Sequence, residues 1–218
     1  MKKFDRSLLP DAPDLSFEST LWQAGTQFVA GIDEAGRGAW AGPVAAAALV
    51  LPADPSIAMQ LSGVRDSKEM KPAEREYWAG QLVKLALAYG VGFASPAEID
   101  ELGIVPATRL ASQRALAGLN IPVQHLLLDF LQLPDLALAQ TPLVKGDARS
   151  LSIAGASVLA KTSRDARMCA LDVQYPDYGF AAHKGYGTAR HRAALLRLGP
   201  CPVHRRSFRP VSEIALPL

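Results

Sequence analysis

Cysteine is scarce in this chain of 218 residues, which contains only Cys169 and Cys201. So few cysteines exclude a secreted fold that is held together by a disulfide framework. A chain of this length buries roughly 70% of its unfolded surface when it folds, and it therefore needs no crosslinks. Two cysteines that lie far apart in the sequence indicate a reducing compartment, and we expect a cytoplasmic protein.

Long apolar runs are missing as well. The longest uninterrupted run covers residues 44–51, far short of the roughly 20 residues that cross a bilayer. Residues 1–5 do not lead into the apolar core of a signal peptide. The sequence also contains no internal repeat and no low-complexity tract. These absences predict a soluble protein without a membrane partner, and we expect a monomer.

Acidic residues are absent from one part of the chain. The formal net charge is only +2, which alone indicates no particular partner. Between Asp177 and Glu213, however, there is no acidic residue. The basic residues that accumulate in this stretch are Lys184, Arg190, Arg192, Arg197, Arg205, Arg206 and Arg209. The positive charge is therefore concentrated near the C-terminal end.

Length and composition predict one globular domain with an appendage. Residues 1–25 include Pro10 and Pro13 and show no clear period, and we interpret them as a loosely attached N-terminal arm. Residues 26–218 are expected to form the single domain. Its last part, from about residue 188 to residue 218, is predicted to be helical and basic.

Apolar periodicity predicts the secondary structure of that domain. Short apolar runs predict strands, and spacings of three and four predict helices. The predicted strands are residues 28–32, 44–51, 89–93, 126–128 and 143–144. The predicted helices are residues 72–88, 96–102, 106–119, 150–171 and 188–198. Strands that cluster early and later alternate with helices favour an α/β fold, in which helices cover both faces of a mixed sheet.

Four carboxylates follow predicted strands. Asp33 and Glu34 end an apolar strand just before a glycine-rich turn, and Asp129 and Asp147 follow two further short strands. Functional groups gather at strand ends in open sheets, and four acids placed there repel each other unless a cation neutralises them. Oxygen ligands suit Mg²⁺ or Mn²⁺ and do not suit zinc. The pattern predicts a divalent-metal site that hydrolyses a phosphodiester.

Some of these acids also have a simpler interpretation. The pair at 33–34 is by itself typical of a solvated turn, and Asp147 alone is a candidate cap for the helix predicted near residue 150. The basic C-terminal stretch supports the metal interpretation instead. It places Tyr186 among glycines and cations, a combination that fits a phosphate backbone with a stacked sugar or base.

A series of short motifs, in order along the chain, resembles bacterial ribonuclease HII. The resemblance extends from about residue 29 to residue 211. It includes Gly-Ile-Asp-Glu-Ala-Gly-Arg-Gly at 31–38, Asp-Ser-Lys at 66–68 and Val-Lys-Gly-Asp at 144–147. Further matching motifs lie at residues 41–44, 94–96, 152–161, 178–180, 183–188 and 204–208.

The resemblance implies an RNase H-like fold, with a mixed sheet flanked by helices and a helical C-terminal extension. It implies an endoribonuclease that hydrolyses the RNA strand of RNA/DNA hybrids and cuts 5′ of single ribonucleotides embedded in duplex DNA. The implied products carry a 3′-hydroxyl and a 5′-phosphate, and the implied cofactor is Mg²⁺ or Mn²⁺, which activates water. The implied partners are RNA/DNA hybrid and ribonucleotide-containing duplex DNA.

The resemblance also implies roles for individual residues. The implied metal-binding and catalytic carboxylates are Asp33, Glu34, Asp129 and Asp147. The residues implied to sense the ribose hydroxyl are Gly36, Arg37, Gly38 and Tyr186. The implied phosphate contacts are Lys68 and Lys184.

The chain departs from the family pattern in two places. Ala39 and Trp40 stand where the family usually has Pro-Leu, and Phe130 stands where it usually has glycine. A bulky residue next to Asp129 can alter the backbone that carries this carboxylate. Asp135 is the competing candidate for the third acid, although a proline precedes it and no apolar strand leads to it.

Three alternatives stay open at this point. Residues 155–162 resemble a phosphate-binding loop, but Ala160 stands where glycine is required, so a nucleoside triphosphatase is the weaker enzymatic alternative. A non-catalytic nucleic-acid-binding protein of the same fold would use the basic stretch alone. A zinc site at Cys201 and His204 would have a ligand spacing that matches no established pattern.

Overall fold

The computed structural model describes residues 9–214 of the chain. Within these residues, five strands form one sheet. They are β1 (Val29–Ala35), β2 (Val44–Val50), β3 (Ala88–Ala94), β4 (His125–Asp129) and β5 (Ala139–Leu143). Their order is β3-β2-β1-β4-β5; the pairs β3-β2 and β2-β1 are antiparallel, and the pairs β1-β4 and β4-β5 are parallel. The predicted mixed sheet is confirmed.

Helices flank this sheet. They are α1 (Ser16–Gln23), α2 (Ile57–Gln60), α3 (Pro72–Leu85), α4 (Pro96–Leu102), α5 (Ile104–Ala117), α6 (Leu151–Gln174), α7 (Phe180–His183), α8 (Ala189–Leu198) and α9 (Arg209–Ile214). Short 3₁₀ turns lie at Gly146–Ala148 and Pro176–Tyr178. Helix α6 packs against β1 and β2, and α5 packs against β2 and β3.

Strand β2 is buried along its whole length because α6 and α5 cover its opposite faces. Ala47 lies in an apolar cluster with α6, whereas its neighbour Ala46 lies in a cluster with α5, as the alternation of side chains along a strand requires. In β1, a Cβ atom at Gly31 would overlap the backbone of Ser152. Helix α6 therefore lies directly against the strand that carries the first two acids.

Most predicted elements are confirmed with shifted ends. Helix α3 ends at Leu85, because Ala86 is extended and the N–H of Leu87 donates to the carbonyl of Val50 at 2.9 Å. Strand β5 differs most from its predicted bounds, since the prediction covers only residues 143–144 and the strand is Ala139–Leu143. It is an edge strand with mostly polar or partly exposed side chains and a proline. It therefore lacks the apolar run by which the other strands are predicted.

The N-terminal region is not the loose arm that the sequence predicts. Helix α1 packs Phe17 and Leu21 against the apolar core. Its Glu18 is fully buried, and Oε1 accepts hydrogen bonds from the Ser150 hydroxyl at 2.6 Å and the Ser152 N–H at 2.9 Å. The prediction is wrong for this helix, because eight residues are too few to show a clear period. Residues 1–8 of the predicted arm lie outside the described residues.

The C-terminal region contains the predicted helices. The side chain of Thr188 caps α8 by accepting a hydrogen bond from the N–H of His191 at 3.2 Å, and α9 follows at Arg209–Ile214. Residues 215–218 of the predicted helical portion lie outside the described residues.

Residues 155–162 lie inside α6. A phosphate-binding loop connects a strand to a helix, so the nucleoside triphosphatase alternative is wrong. In the described part of the chain, no helix combines the length and the apolar character that a membrane span requires.

Candidate active site

The ends of three parallel strands bring the acidic side chains together. Asp33 and Glu34 lie near the end of β1, Asp129 is the last residue of β4, and Asp147 lies in the 3₁₀ turn after β5. Parallel strands end at the same edge of a sheet. Asp33, Glu34 and Asp129 line one cleft of about 580 Å³, and the charge of Asp147 acts on all three. The predicted convergence of the four acids is therefore present.

Asp33 is the most deeply buried of these acids, with 3% of its surface exposed. The Ser157 hydroxyl of α6 acts on its carboxylate and favours the charged form, and the Ser67 hydroxyl lies 2.8 Å from that of Ser157. The Oδ2 atom of Asp33 has no hydrogen-bond partner among residues 9–214. Burial, followed by the negative charges of the other acids, raises the pKa of Asp33 well above its usual range.

Two of the acids are paired with cations. Arg37 donates to Glu34 at 3.2 Å, and the Lys68 ammonium donates to Asp147, also at 3.2 Å. Burial raises the pKa of Glu34 in spite of Arg37. Burial opposes the charged form of Lys68, but the surrounding carboxylates, Asp33 foremost, raise its pKa above its usual value. Arg37 and Lys68 thus line the same cleft as Asp33, Glu34 and Asp129.

Asp129 is held by the turn that follows β5. Its Oδ1 atom accepts a hydrogen bond from the N–H of Gly146 at 2.8 Å. Burial, and then the charge of Asp147, raises the pKa of Asp129 to about 6. The next residue, Phe130, has φ of 65°, in the left-handed region that favours glycine. This conformation explains why the family usually has glycine there, and Phe130 adopts it without displacing Asp129 from the acidic cleft.

The acid cluster fits a divalent cation. Among residues 9–214, no group of three or more Asp, Glu, His or Cys side chains is arranged so that it could hold a metal ion; Glu34 and Asp147 are paired with Arg37 and Lys68 instead. The orphaned Oδ2 of Asp33 nevertheless faces a cluster in which burial and mutual repulsion disfavour the charged carboxylates. Carboxylate oxygens in this arrangement suit Mg²⁺ or Mn²⁺.

The glycine-rich turn is shaped by the buried arginine Arg164 of α6. Gly36 has φ of 92°, and a Cβ atom there would overlap the Arg164 guanidinium. Arg164 donates to the carbonyls of Pro43 at 2.9 Å, Ala41 at 3.2 Å and Lys184 at 2.9 Å. One side chain therefore joins the turn at 36–38 to the loop that carries Tyr186.

Tyr186 lines the same cleft as the acids and the turn at 36–38. The Arg164 guanidinium lies 5.3 Å from the centre of its ring, and the Lys161 ammonium lies 5.7 Å from it. The N–H of Trp40 donates to the carbonyl of Gly185 at 2.8 Å. The departure at Trp40 is thus accommodated, because its backbone supports the Tyr186 loop.

Lys184, the other implied phosphate contact, lies outside the acid cleft. It donates to the carbonyl of Ala181 at 2.5 Å and to the Cys169 sulfur at 3.2 Å. It lines a separate cavity of about 580 Å³, which shares only Arg75 and Lys161 with the cleft. The φ angle of Lys184 is 52°, in the left-handed region.

Sequence reasoning did not assign roles to several residues at the cleft. Ser157, Lys161 and Arg164 are spaced by four and three residues, which places them on one face of α6. A second ion-pair network beside them joins Arg75 and Lys161 to Asp165 at 3.2 and 2.7 Å. The only signal in the sequence is that polar residues appear at helical spacing in a largely apolar segment.

The sequence model of the family described as "Ribonuclease HII" matches residues 30–211. The chain belongs to the ribonuclease HII family. A ribonuclease HII from Synechococcus sp. (strain JA-3-3Ab) is 55% identical over 204 residues, which cover 93% of this chain and 90% of the relative. The ribonuclease H2 from Pyrococcus horikoshii OT3 is similar in structure, with a TM-score of 0.71 and 27% identity over 86% of this chain and 97% of that one.

A more distant structure shares the fold alone. The crystal structure of Bst-RNase HIII in complex with Mn²⁺ has a TM-score of 0.70 and 19% identity, and the match covers 88% of this chain and 70% of that one. Membership in the ribonuclease HII family identifies the chain as a divalent-metal-dependent ribonuclease H that acts on RNA/DNA hybrids. The alternative of a non-catalytic nucleic-acid-binding protein is therefore set aside.

Proposed function

We propose that this ribonuclease H cuts on the 5′ side of single ribonucleotides in duplex DNA, as well as within RNA/DNA hybrids, leaving a 3′-hydroxyl and a 5′-phosphate. The residues proposed to hold Mg²⁺ or Mn²⁺ are Asp33, Glu34, Asp129 and Asp147. The observation that carries the proposal is the buried, unpartnered Oδ2 of Asp33 within a cluster of acids at the strand ends. A bound divalent ion supplies activation of water and stabilisation of charge on the phosphate.

The chain's own side chains prepare the site for a phosphodiester. The Ser157 hydroxyl orients Asp33, and the cations Arg37 and Lys68 offset the charge of the acids beside them. Both cations are partly or largely exposed, so they are available to phosphate oxygens of the substrate. Charge-assisted hydrogen bonds from such groups position the strand without reading its base sequence.

Recognition of the ribose is proposed for the turn and the tyrosine. Gly36, Arg37 and Gly38 approach the minor groove, where the 2′-hydroxyl is displayed. Tyr186 stacks on the next sugar, which fits best when that sugar lacks the hydroxyl. Their position along one cleft with the acids supports this division of roles.

Lys184 is proposed to contact phosphate outside the cleft. Its cavity shares Arg75 and Lys161 with the acid cleft. Asp165, which lines the same cavity, pairs with both of these cations, so Lys184 is the cation proposed to contact phosphate there. A cation outside the cleft suits the backbone of a duplex, whose phosphates recur along each strand.

We further propose that the protein acts as a cytoplasmic monomer without a membrane partner. Its cysteines are both free thiols, one exposed and one buried, which supports a reducing compartment. Sedimentation of the purified protein tests the monomer, and a dimer at working concentration would refute it.

The decisive experiment uses a DNA duplex with one ribonucleotide, incubated with the protein in Mg²⁺ or Mn²⁺ and in EDTA. We expect one cut at the 5′ side of the ribonucleotide, which EDTA abolishes. The variant Asp33→Asn is expected to lose cleavage and to bind the duplex at least as well, because it removes a negative charge that faces phosphate. Asp135→Asn, at an exposed acid outside the cleft, is the matched control. Cleavage by Asp33→Asn would refute the site.

A further inference from the structure

A chain of buried polar contacts leads to the loop of Tyr186. We call the contacts that join Cys201, His204, His191 and Tyr186 the histidine relay. His191 and His204 are almost completely buried. Their Nε2 atoms lie 3.1 Å apart, and the Nδ1 atom of His191 lies 3.0 Å from the carbonyl oxygen of Tyr186. The proposed reaction makes no use of these two imidazoles.

The hydrogen bonds at the two ends of the relay fix the positions of its protons. At one end, the backbone N–H of Cys201 donates to Nδ1 of His204 at 3.0 Å, so a neutral His204 carries its proton on Nε2. At the other end, the Tyr186 carbonyl can only accept, so His191 carries its proton on Nδ1. Both proton assignments give the same direction for the hydrogen bond between the two rings: the Nε2–H of His204 donates to Nε2 of His191.

The relay requires that both rings are neutral. A second proton on His191 would place two N–H groups opposite each other across the 3.1 Å gap. Burial, together with the neighbouring imidazoles, lowers the pKa of both His191 and His204 to about 4. The ring of His183 stacks on that of His191 at 4.3 Å between centroids, and the Trp40 ring lies 5.4 Å from it. These contacts fix the plane of the His191 ring.

The relay connects the Tyr186 loop to the buried core. The Tyr186 carbonyl accepts one hydrogen bond from inside the loop, from the N–H of Thr188 at 2.8 Å, and a second from His191. The preceding peptide groups already have partners outside the loop, since Arg164 donates to the carbonyl of Lys184 and Trp40 to that of Gly185. His191 extends this attachment to the residue whose ring lines the cleft.

We propose that His191 and His204 are positioning residues, which act through the Tyr186 carbonyl to set the orientation of the tyrosine ring for recognition of a single ribonucleotide. This inference rests on the proposed sugar-sensing role of Tyr186. A duplex with one ribonucleotide offers a single register for cleavage, whereas a long hybrid offers many. Loss of the relay is therefore expected to affect the first substrate more than the second.

The first test measures the relay directly, in the wild-type protein labelled with ¹⁵N-histidine at pH 7.5. We expect the proton of His191 on Nδ1, the proton of His204 on Nε2, and a scalar coupling between the two Nε2 nitrogens across their hydrogen bond. A proton on Nε2 of His191, or a charged ring at either position, would overturn the inference.

The second test compares two amide variants at one position. In His191→Asn the amide nitrogen can occupy the place of Nδ1 and donate to the Tyr186 carbonyl, whereas in His191→Gln it lies near the place of Nε2 and loses that bond. We measure the ratio of kcat/KM on a single-ribonucleotide duplex to kcat/KM on a long hybrid. His191→Gln should lower this ratio by about fivefold to tenfold, the effect of one hydrogen bond, and His191→Asn by no more than about twofold.

Tyr186→Ala separates the two proposals. If Tyr186→Ala lowers the ratio and His191→Gln does not, the relay inference is wrong and the sugar-sensing proposal stands. If both His191 variants lower kcat/KM by the same factor on the two substrates, the histidines stabilise the fold alone, and the inference is also wrong. If Tyr186→Ala leaves the ratio unchanged, the sugar-sensing proposal fails, together with the inference that rests on it.

Discussion

Two buried charged side chains in this enzyme differ in whether their polar atoms have hydrogen-bond partners. Arg164 is fully buried, and its three nitrogen atoms donate to three backbone carbonyls. Asp33 is almost as deeply buried, but Oδ2 has no partner among the described residues, and its neighbours are further acids. A satisfied buried charge stabilises the loops around it, whereas an unsatisfied one destabilises the fold and is available to a ligand. The contrast separates the residue that shapes the cleft from the one that we propose to hold the metal ion.

The largest expected effect comes from removing the satisfied charge. Arg164→Met leaves three buried carbonyls without donors, so we expect the free energy of unfolding to fall by about 3–5 kcal/mol. Urea unfolding monitored by circular dichroism measures the change. The exposed Arg192 provides the control, and Arg192→Met should change stability by less than about 0.5 kcal/mol. If Arg164→Met lowered the free energy of unfolding as little as Arg192→Met, Arg164 would not stabilise the loops around it, and the contrast with Asp33 would be wrong.

The second effect has the opposite sign. Burial and the neighbouring acids disfavour the charged form of Asp33, so in EDTA at pH 7.5 we expect Asp33→Asn to be more stable than the wild type by more than about 0.5 kcal/mol, the usual limit for a surface substitution. The same urea unfolding experiment measures this gain. Asp135→Asn should show no comparable gain, and a destabilised Asp33→Asn would mean that this carboxylate is needed for the fold.

The third prediction concerns pH. Because the folded-state pKa of Asp129 is raised to about 6, above its unfolded value of about 4, its contribution to stability is present below that unfolded value and is lost as the pH rises through 6. In EDTA at pH 8, the free energy of unfolding of Asp129→Asn should therefore exceed that of the wild type by about 1–2 kcal/mol, allowing for partial exposure. The advantage should vanish towards pH 4. An advantage that stays constant across this range would contradict the raised pKa.

The smallest effect tests the backbone beside the acids. Phe130 is 62% exposed and has φ of 65°, so its side chain contributes little packing and its backbone is strained. We expect Phe130→Gly to be more stable than Phe130→Ala by about 1 kcal/mol, because only glycine adopts this conformation without strain. Thermal unfolding of the two variants measures the difference. Equal stability would show that the turn after β4 relaxes.

The sequence predicts the acid cluster well, for a physical reason. Strands that are buried give apolar runs, and an acid that follows such a run lies at the edge of the sheet. Asp33, Asp129 and Asp147 could therefore be assigned to one edge before the strand order was known. The turn at 36–38 was also recognisable from its glycines, of which Gly36 is required by its φ of 92° and by the neighbouring Arg164.

Other parts of the site could not be predicted because they depend on contacts that are distant in the chain. Helix α1 is too short to show a period, and its buried Glu18 is partnered by residues more than 130 positions away. The ammonium group of Lys184 contacts the carbonyl of Ala181 and the sulfur of Cys169, and neither contact could be predicted from residue type. The partners of Arg164 are backbone carbonyls, as is one partner of His191, and a contact to a backbone carbonyl cannot be predicted from residue type.

Helix α6 sets the distance between the two parts of the site, the acid cluster and the Tyr186 loop. Ser157 next to Asp33 and Arg164 beneath Tyr186 are seven residues apart on one face, a spacing of roughly 10 Å along the helix axis. An insertion or deletion of one residue between them would rotate one group by about 100° relative to the other. The separation between the acids and Tyr186, which we propose to sense the sugar, is therefore built into the pitch of a helix.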